Sequence, residues 1–342
     1  MRKGTGMRLH SKLNQISAGS VTKLVTRTAA VLLAGICMIS APAYAAGANV
    51  IIGVARAAAD LHEKTNNLDE APALNGGEIR FLENRGSDQQ QLSAVIRSSD
   101  GKVIVVDGGQ EADEEHLVST IMEAGGAVDA WLVTHPQADH VGGLYAVLRD
   151  HRADIDIRGI YYNFFEYEWY AAVDPGESEM VAALMGQLST VDPARLHSQM
   201  SAHDEVWLSE NLGFRVLNSP VKTEGDFAVN SSGLMYDITV DGKHLIILGD
   251  MGKDVGDRLM YNGALYGIHA DYVQMSHHGQ DGVGEAFYRA LDPVSCIWPT
   301  TSWIYYVDNI NTRFKTVLTK NWVVGLGVQN NYITIGDDVI IR

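Results

Sequence analysis

Beyond residue 76 the chain alternates between two hydrophobic periods. Apolar runs at 78–83, 91–98 and 102–106, parted by polar or Asp-Gly turns, predict three strands. Apolar residues at helical spacing over 111–124 predict a helix, followed by a buried strand at 127–134, a helix at 141–150 and a strand at 155–162. A helical stretch over 177–202 leads back to strands at 214–217, 234–240 and 244–248. A second series follows: strand 271–276, helix 283–291, strand 294–298 and an amphipathic stretch at 310–318. The order is that of an α/β protein with two β-rich halves, each flanked by helices. Neither a repeat of solenoid period nor a Pro/Ser-rich linker interrupts it, so 76–342 is read as one domain, with 46–75 as an N-terminal lead-in.

The first 45 residues follow other rules. Lys12, Lys23 and Arg27 precede the apolar run 29–39, and Ala43-Tyr44-Ala45 supplies a small-x-small cleavage site, which together predict a secretory signal peptide cut after Ala45. The run is well short of the roughly 20 residues that span a bilayer. Cleavage would remove six basic residues (Arg2, Lys3, Arg8, Lys12, Lys23 and Arg27) and no acidic one, taking the formal net charge from −16 to −22. A polyanion is repelled by such a field, so nucleic acid is disfavoured as a partner. A small molecule or a cell-surface polymer is the expected substrate. Of the two cysteines, Cys37 leaves with the signal, and Cys296 sits in the apolar run 294–298, where a buried small hydrophobe is expected.

Chemistry concentrates at Leu132-Val133-Thr134-His135-Pro136-Gln137-Ala138-Asp139-His140-Val141-Gly142-Gly143, where three metal-capable side chains fall within six residues at the end of a predicted strand. Imidazole and carboxylate at that density, on a strand-to-helix loop, point to a metal site. The block resembles the His-x-His-x-Asp-His signature of the metallo-β-lactamase superfamily, with Gln137 where the second His stands. It is similar also to the His-x-Asp-x-Asp-His form in the hydrolase-like domain of ComEC/Rec2 competence proteins, which Gly-Gly follows. Here too Gln137 departs, replacing an anionic ligand by a neutral amide.

Three more segments extend the resemblance in the same order. The strand ending at Asp107-Gly108-Gly109 is similar to the early family strand that ends in Asp-x-Gly or Asp-Gly-Gly. His244-Leu-Ile-Ile-Leu-Gly-Asp250 matches the strand whose terminal Asp bridges two metals. Tyr272-Val-Gln-Met-Ser-His277-His278-Gly279 resembles the His-His-Gly-Ser end of the ComEC-like motif. His277 is favoured as the ligand because it leaves the strand first, with His278 as hydrogen-bond donor or proton carrier. Val229-Asn230-Ser231-Ser232-Gly233-Leu234 resembles the Asn-Asn-x-Ser-Leu stretch of that branch, which makes Asn230 or Ser232 a candidate weak oxygen contact where classical members place a further His.

The resemblance implies a four-layer αββα sandwich. It also implies two metal positions: His135, Asp250 and the weaker candidate Gln137 around the first, and Asp139, His140, Asp250 and His277 around the second. Zn²⁺, as one or two ions, suits such donors, and their oxygen share also suits Mn²⁺. Asp139 would orient or deprotonate a water that the metal activates, and water, His278 or a residue outside these motifs would protonate the leaving group. No nucleophile elbow, Walker loop or dinucleotide fingerprint competes.

The aromatic cluster 161–170 is a candidate substrate surface, against the plainer reading of packing at a strand end. His151, His197, His203 and His269 lack motif context. The expected function is an exported metal-dependent hydrolase acting on a phosphodiester or related ester. The alternatives are carboxylic ester or lactam hydrolysis, and a binding protein on a decayed hydrolase scaffold.

Overall fold

The computed structural model describes residues 72–263, 265–307, 314–328 and 330–342. The expected signal segment 1–45 and residues 46–71 of the lead-in lie outside them.

Strands are β1 (Glu78–Phe81), β2 (Ser93–Arg97), β3 (Val103–Asp107), β4 (Ala127–Val128), β5 (Ala130–Leu132), β6 (Asp156–Ile157), β7 (Ile160–Tyr161) and β8 (Leu196–His197) in the first half. The second half contributes β9 (Glu205–Trp207), β10 (Leu212–Val216), β11 (Tyr236–Val240), β12 (Lys243–Ile247), β13 (Tyr272–Gln274), β14 (Ser295–Trp298), β15 (Asn330–Ile333) and β16 (Val339–Ile341). They form two seven-stranded sheets, one ordered β16-β1-β2-β3-β5-β7-β8 and the other β15-β14-β13-β12-β11-β10-β9, with β4 and β6 paired separately.

The period-2 rule for strand side chains explains why the central strands read as unbroken apolar runs. In β3 and β5, Ile104, Val106, Ala130 and Leu132 point into a core shared with Phe214, Ile238, Leu245 and Ile297 of the second sheet. The alternate residues Val103, Val105 and Trp131 face outward, onto Leu117 and Ile121 of the helix Glu114–Glu123 and Val141, Leu144 and Val147 of the helix Ala138–Asp150. The second sheet repeats this: Ile246, Val273, Cys296 and Trp298 are covered by Phe287 and Leu291 of the helix Glu285–Leu291 and by Val323 of the helix Thr316–Gly325. Both faces of both sheets are buried, giving the αββα sandwich.

The predicted strand 127–134 is cut at Asp129, whose carboxylate accepts the Val103 backbone N–H (3.0 Å) and meets Lys102 (3.1 Å) and Arg158 (2.6 Å). The helix expected at 141–150 begins at Ala138, so Asp139 and His140 stand in its first turn and not on a loop. The helical stretch expected over 177–202 is the helix Ser178–Leu188, then a 3₁₀ turn at Pro193–Arg195, then β8. The regular helix stops at Leu188, and Asp192, whose side chain accepts the Ala194 N–H at 3.0 Å, caps the separate turn that Pro193 opens. The last helix begins at Thr316, later than the expected 310–318, of which 310–313 lie outside the described residues. Short elements went unforeseen: β9, β15, β16 and the helices Tyr167–Val173 and Lys253–Tyr261.

β3 runs parallel to β5, and β12 parallel to β13, so the residues that follow each pair leave the sheets at a common edge. Asp107, the 133–140 segment, Asp250 and the His277-His278 pair all follow those ends.

Candidate metal centre

Close backbone approach sets the geometry of the first motif. A Cβ on Gly143 would lie 2.2 Å from Gly108 O, and one on Gly142 would lie 2.3 Å from Glu111 N. Gly142-Gly143 thus lets the helix Ala138–Asp150 settle on the Asp107-Gly108-Gly109 turn, where Gly143 N donates to Gly109 O at 2.9 Å. That contact brings Asp107 under His140. Asp107, buried and at φ 56°, accepts from Thr134 N, Thr134 Oγ1 and His140 Nδ1, each at 2.7 Å. With Nδ1 engaged by an acceptor, His140 presents Nε2 to the site. The Glu177 carboxylate receives the Ala138 N–H at 2.9 Å, holding the helix start in place.

The second half supplies its donors from two strand ends. Asp250 follows β12, and after β13 the chain reverses through three left-handed residues, His277 (φ 50°), His278 (φ 56°) and Gly279 (φ 81°). Non-glycine residues in that region carry strain and are held there by surrounding structure. The reversal turns His278 inward: its Nδ1 donates to Pro299 O at 2.7 Å, and its Nε2 lies 3.3 Å from Asp139 Oδ2 and 3.5 Å from Asp250 Oδ2.

His140, His278, Asp139 and Asp250 therefore converge, each with a donor atom within 4.8 Å of the others. His140 Nε2, His278 Nε2 and Asp250 Oδ1 are buried and have no hydrogen-bond partner among the described residues. His140 Nε2 and Asp250 Oδ1 approach to 3.2 Å, yet not in hydrogen-bond geometry. Leaving one such group unmet costs about 1–3 kcal/mol. Three aimed at one point, two imidazole nitrogens and a carboxylate oxygen, are the donors a divalent cation takes, so the residues fit the metal that the motif implies.

Electrostatics agree. Burial would push the His278 imidazolium down, but the Asp250 and Asp139 carboxylates raise it to about 9. His140 is likewise raised well above its ordinary value against its burial, by Asp250, Asp139 and Asp107. Burial would raise the Asp139 carboxyl, but His140 and His278 hold it far below the usual range. The pocket demands positive charge, and a cation answers that demand by displacing imidazole protons.

The other motif residues are arranged differently. His135 Nε2 is bonded to Gln137 Oε1 at 2.9 Å, and Gln137 Nε2 donates to Asp174 Oδ2 at 3.0 Å. Burial, with His140 beside it, brings the His135 imidazolium down to about 3, so this ring is neutral. Asn230 presents Nδ2, not an oxygen, to Asp250 Oδ2 at 3.3 Å, and Ser232 Oγ turns away to Val229 O at 2.7 Å.

Sequence favoured His277 for the cluster, but the structure puts His278 there, because the left-handed reversal exchanges the directions of the two rings. His277 Nδ1 faces Asp281 O at 3.3 Å and its Nε2 is 3.7 Å from Asp250 Oδ2, with the half-exposed Phe227 ring 5.4 Å away. Asp174, Glu177 and Gln90 were missed. They belong to no motif, and only folding brings them to the site.

The aromatic cluster packs largely upon itself, with Phe164 edge-on to Tyr170 and Phe165 edge-on to Trp169. Lys222 lies over the Phe165 ring and pairs with Glu166. No helix among the described residues is long and apolar enough to cross a membrane.

A search of curated proteins finds no match. Among solved structures, the chain is similar to the metallo-beta-lactamase fold protein YhfI from Bacillus subtilis, with 8% identity over 78% of this chain and 99% of that one at a TM-score of 0.47. It is similar also to unliganded yeast PDE1 (12% identity, 78% and 99% covered, TM-score 0.49) and to a diphosphatase from the PhnP family (14%, 65% and 85%, TM-score 0.40). The family model of the metallo-beta-lactamase superfamily matches residues 86–274, more than half of the chain and all of the motif region up to β13. This chain belongs to the metallo-β-lactamase superfamily.

Proposed function

We propose that the protein is an exported hydrolase of phosphodiesters or related esters that works with a single divalent cation, held by Asp139, His140, Asp250 and His278. The observation that carries this is the set of three buried, unpartnered donor atoms on His140, His278 and Asp250. Zn²⁺ suits two imidazoles and two carboxylates, and Mn²⁺ is the second candidate. When bound, such a cation lowers the pKa of water to about 7 and polarises the oxygen of the bond under attack.

The chain's own residues do the rest. Asp139 is the most exposed of the four, with 15% of its side chain accessible, and it takes the proton of the attacking water. His278, drawn into the cluster, no longer suits the proton-carrier role. His277 takes it: its ring lies at the edge of the site beside Asp250, and it delivers a proton to the leaving group. Phe227 beside it offers an aromatic face to that group.

The oxygen-rich motif, similar to that of the ComEC/Rec2 branch, supports the phosphodiester over the carboxylic ester or lactam. The formal charge of −22 after cleavage at Ala45 argues against a nucleic acid and favours a small or cell-surface substrate. Metal content of the purified mature protein, measured beside turnover of bis(p-nitrophenyl) phosphate, p-nitrophenyl acetate and a chromogenic β-lactam, tests the proposal. About one ion per chain, with phosphodiester turnover abolished by Asp250→Asn, is expected. Turnover confined to the acetate or the lactam overturns the substrate class. No metal after Zn²⁺ and Mn²⁺ reconstitution overturns the enzyme itself and leaves a binding scaffold.

A further inference from the structure

The loop before β2 reaches the centre through one side chain that no motif contains. Gln90 Nε2 donates to Asp139 Oδ2 at 3.0 Å, the oxygen that also faces His278 Nε2 at 3.3 Å. The Gln90 amide is itself oriented, since Gln280 Nε2 donates to Gln90 Oε1 at 3.0 Å. Gln280 is buried and stands two residues after His278. The loop that carries Gln90 is held from behind: Gln110 Nε2 donates to Gln90 O at 3.1 Å, while Gln91 bonds Gln110 N at 3.0 Å and Asp113 Oδ2 at 2.9 Å.

We infer that Gln90 is a positioning residue for Asp139, and that Gln280 acts through it, so that an amide relay Gln280–Gln90–Asp139 fixes the carboxylate for the cation. The physical reason lies in the neighbours of Asp139. His140 Nε2 is 3.9 Å from its other oxygen, too far for a hydrogen bond, His278 Nε2 approaches Oδ2 at 3.3 Å without bonding it, and among the described residues Gln90 is the side chain that hydrogen-bonds this carboxylate. A carboxylate on the first turn of a helix keeps χ1 and χ2 freedom unless something holds it, and Gln90 is that hold. Gln is suited to the task because one end donates to the carboxylate while the other accepts from Gln280. A Glu in its place would set two like charges together. The relay also joins the ends of the two halves of the sandwich, the loop before β2 and the turn after β13, across the mouth of the site.

The inference rests on the metal-centre reading, and the experiment separates the two. Zn²⁺ affinity is measured by chelator competition on the mature protein and its Gln90→Met, Gln280→Met and double variants, with the melting temperature of each metal-free form. Met keeps the volume and removes the amide. Gln90→Met is expected to weaken Zn²⁺ binding by about 10–100-fold, the usual cost of losing a partner that orients a ligand. Gln280→Met should weaken it less, and the double variant no more than Gln90→Met alone, because the Gln280 amide donates to Gln90 and meets Asp139 through it. A wild-type protein that binds no Zn²⁺ sinks the centre. Wild-type binding with unchanged affinity in Gln90→Met, whether or not the metal-free melting temperature falls, sinks the relay alone. Additive losses in the double variant overturn the role given to Gln280.

Discussion

The two metal positions implied by the motif lie side by side on Asp250 and differ in one respect. Around the second, Asp139, His140, Asp250 and His278 leave three buried atoms without partners. Around the first, the polar groups satisfy one another: His135 with Gln137, Gln137 with Asp174, and Asn230 with Asp250. A buried polar group either finds a hydrogen bond within the protein or asks for something from outside. Gln137 uses its amide oxygen on His135 and its amide nitrogen on Asp174, and Asn230 donates to Asp250, so these side chains close their position by bonding their neighbours. Motif membership is thus a poor guide to occupancy. The unmet atoms are the better one.

The largest effect should come from exchanging the two adjacent histidines. His278→Asn removes a cluster donor and should lower Zn²⁺ affinity by more than about 100-fold, beyond the cost of losing an orienting partner. His277→Asn should leave metal content intact while turnover falls by about 10²–10⁴-fold, the contribution of a general acid. Elemental analysis beside steady-state rates reads both, and the reverse pattern would return His277 to the ligand set. Next, Gln137→His opens the self-satisfied position. Metal titration should then approach two ions per chain in place of one, and a stoichiometry that stays at one would mean that Asp174 and Asn230, not Gln137, keep the position closed.

The smallest effect lies away from both positions. His116 sits between Asp113 (3.4 Å) and Asp338 (3.1 Å), tying the start of the helix Glu114–Glu123 to the turn before β16. Burial works against its charge, but the two carboxylates raise its pKa to about 9. A raised folded-state pKa adds stability that is fully present below about pH 6.5 and is lost as pH climbs through about 9. Denaturant unfolding of His116→Gln should therefore show about 1–3 kcal/mol less stability near neutral pH, and a flatter decline up to pH 9.5, with metal content unchanged. A change in metal content would show that this distant clasp and the centre are coupled.

Much of this was legible in the chain. Unbroken apolar runs in β3, β5 and 244–248 fit strands buried on both faces, because side chains on a strand alternate and both sets here are apolar. The motif His135 to His140 and the strand ending in Asp250 named three of the four side chains that converge, His140, Asp139 and Asp250. Edge elements such as β9 and β16 were not legible, since runs of three residues carry no periodicity. The choice between His277 and His278 was likewise beyond sequence, for both follow the same strand.

What sequence determined by itself was the order of elements, the two-sided burial of the sheets and the kinds of donor available, all consequences of local periodicity and side-chain chemistry. Tertiary structure alone decided which donors meet. A Cβ on Gly279 would lie 2.3 Å from the Trp298 ring, so packing against β14 fixes the left-handed turn and aims His278 inward. Gln90 and Asp174 reach the site only because distant loops close over one sheet edge. Side-chain direction at a chain reversal depends on the backbone angles that packing imposes, and contact between distant segments depends on the whole fold, so neither is written in the residues nearby.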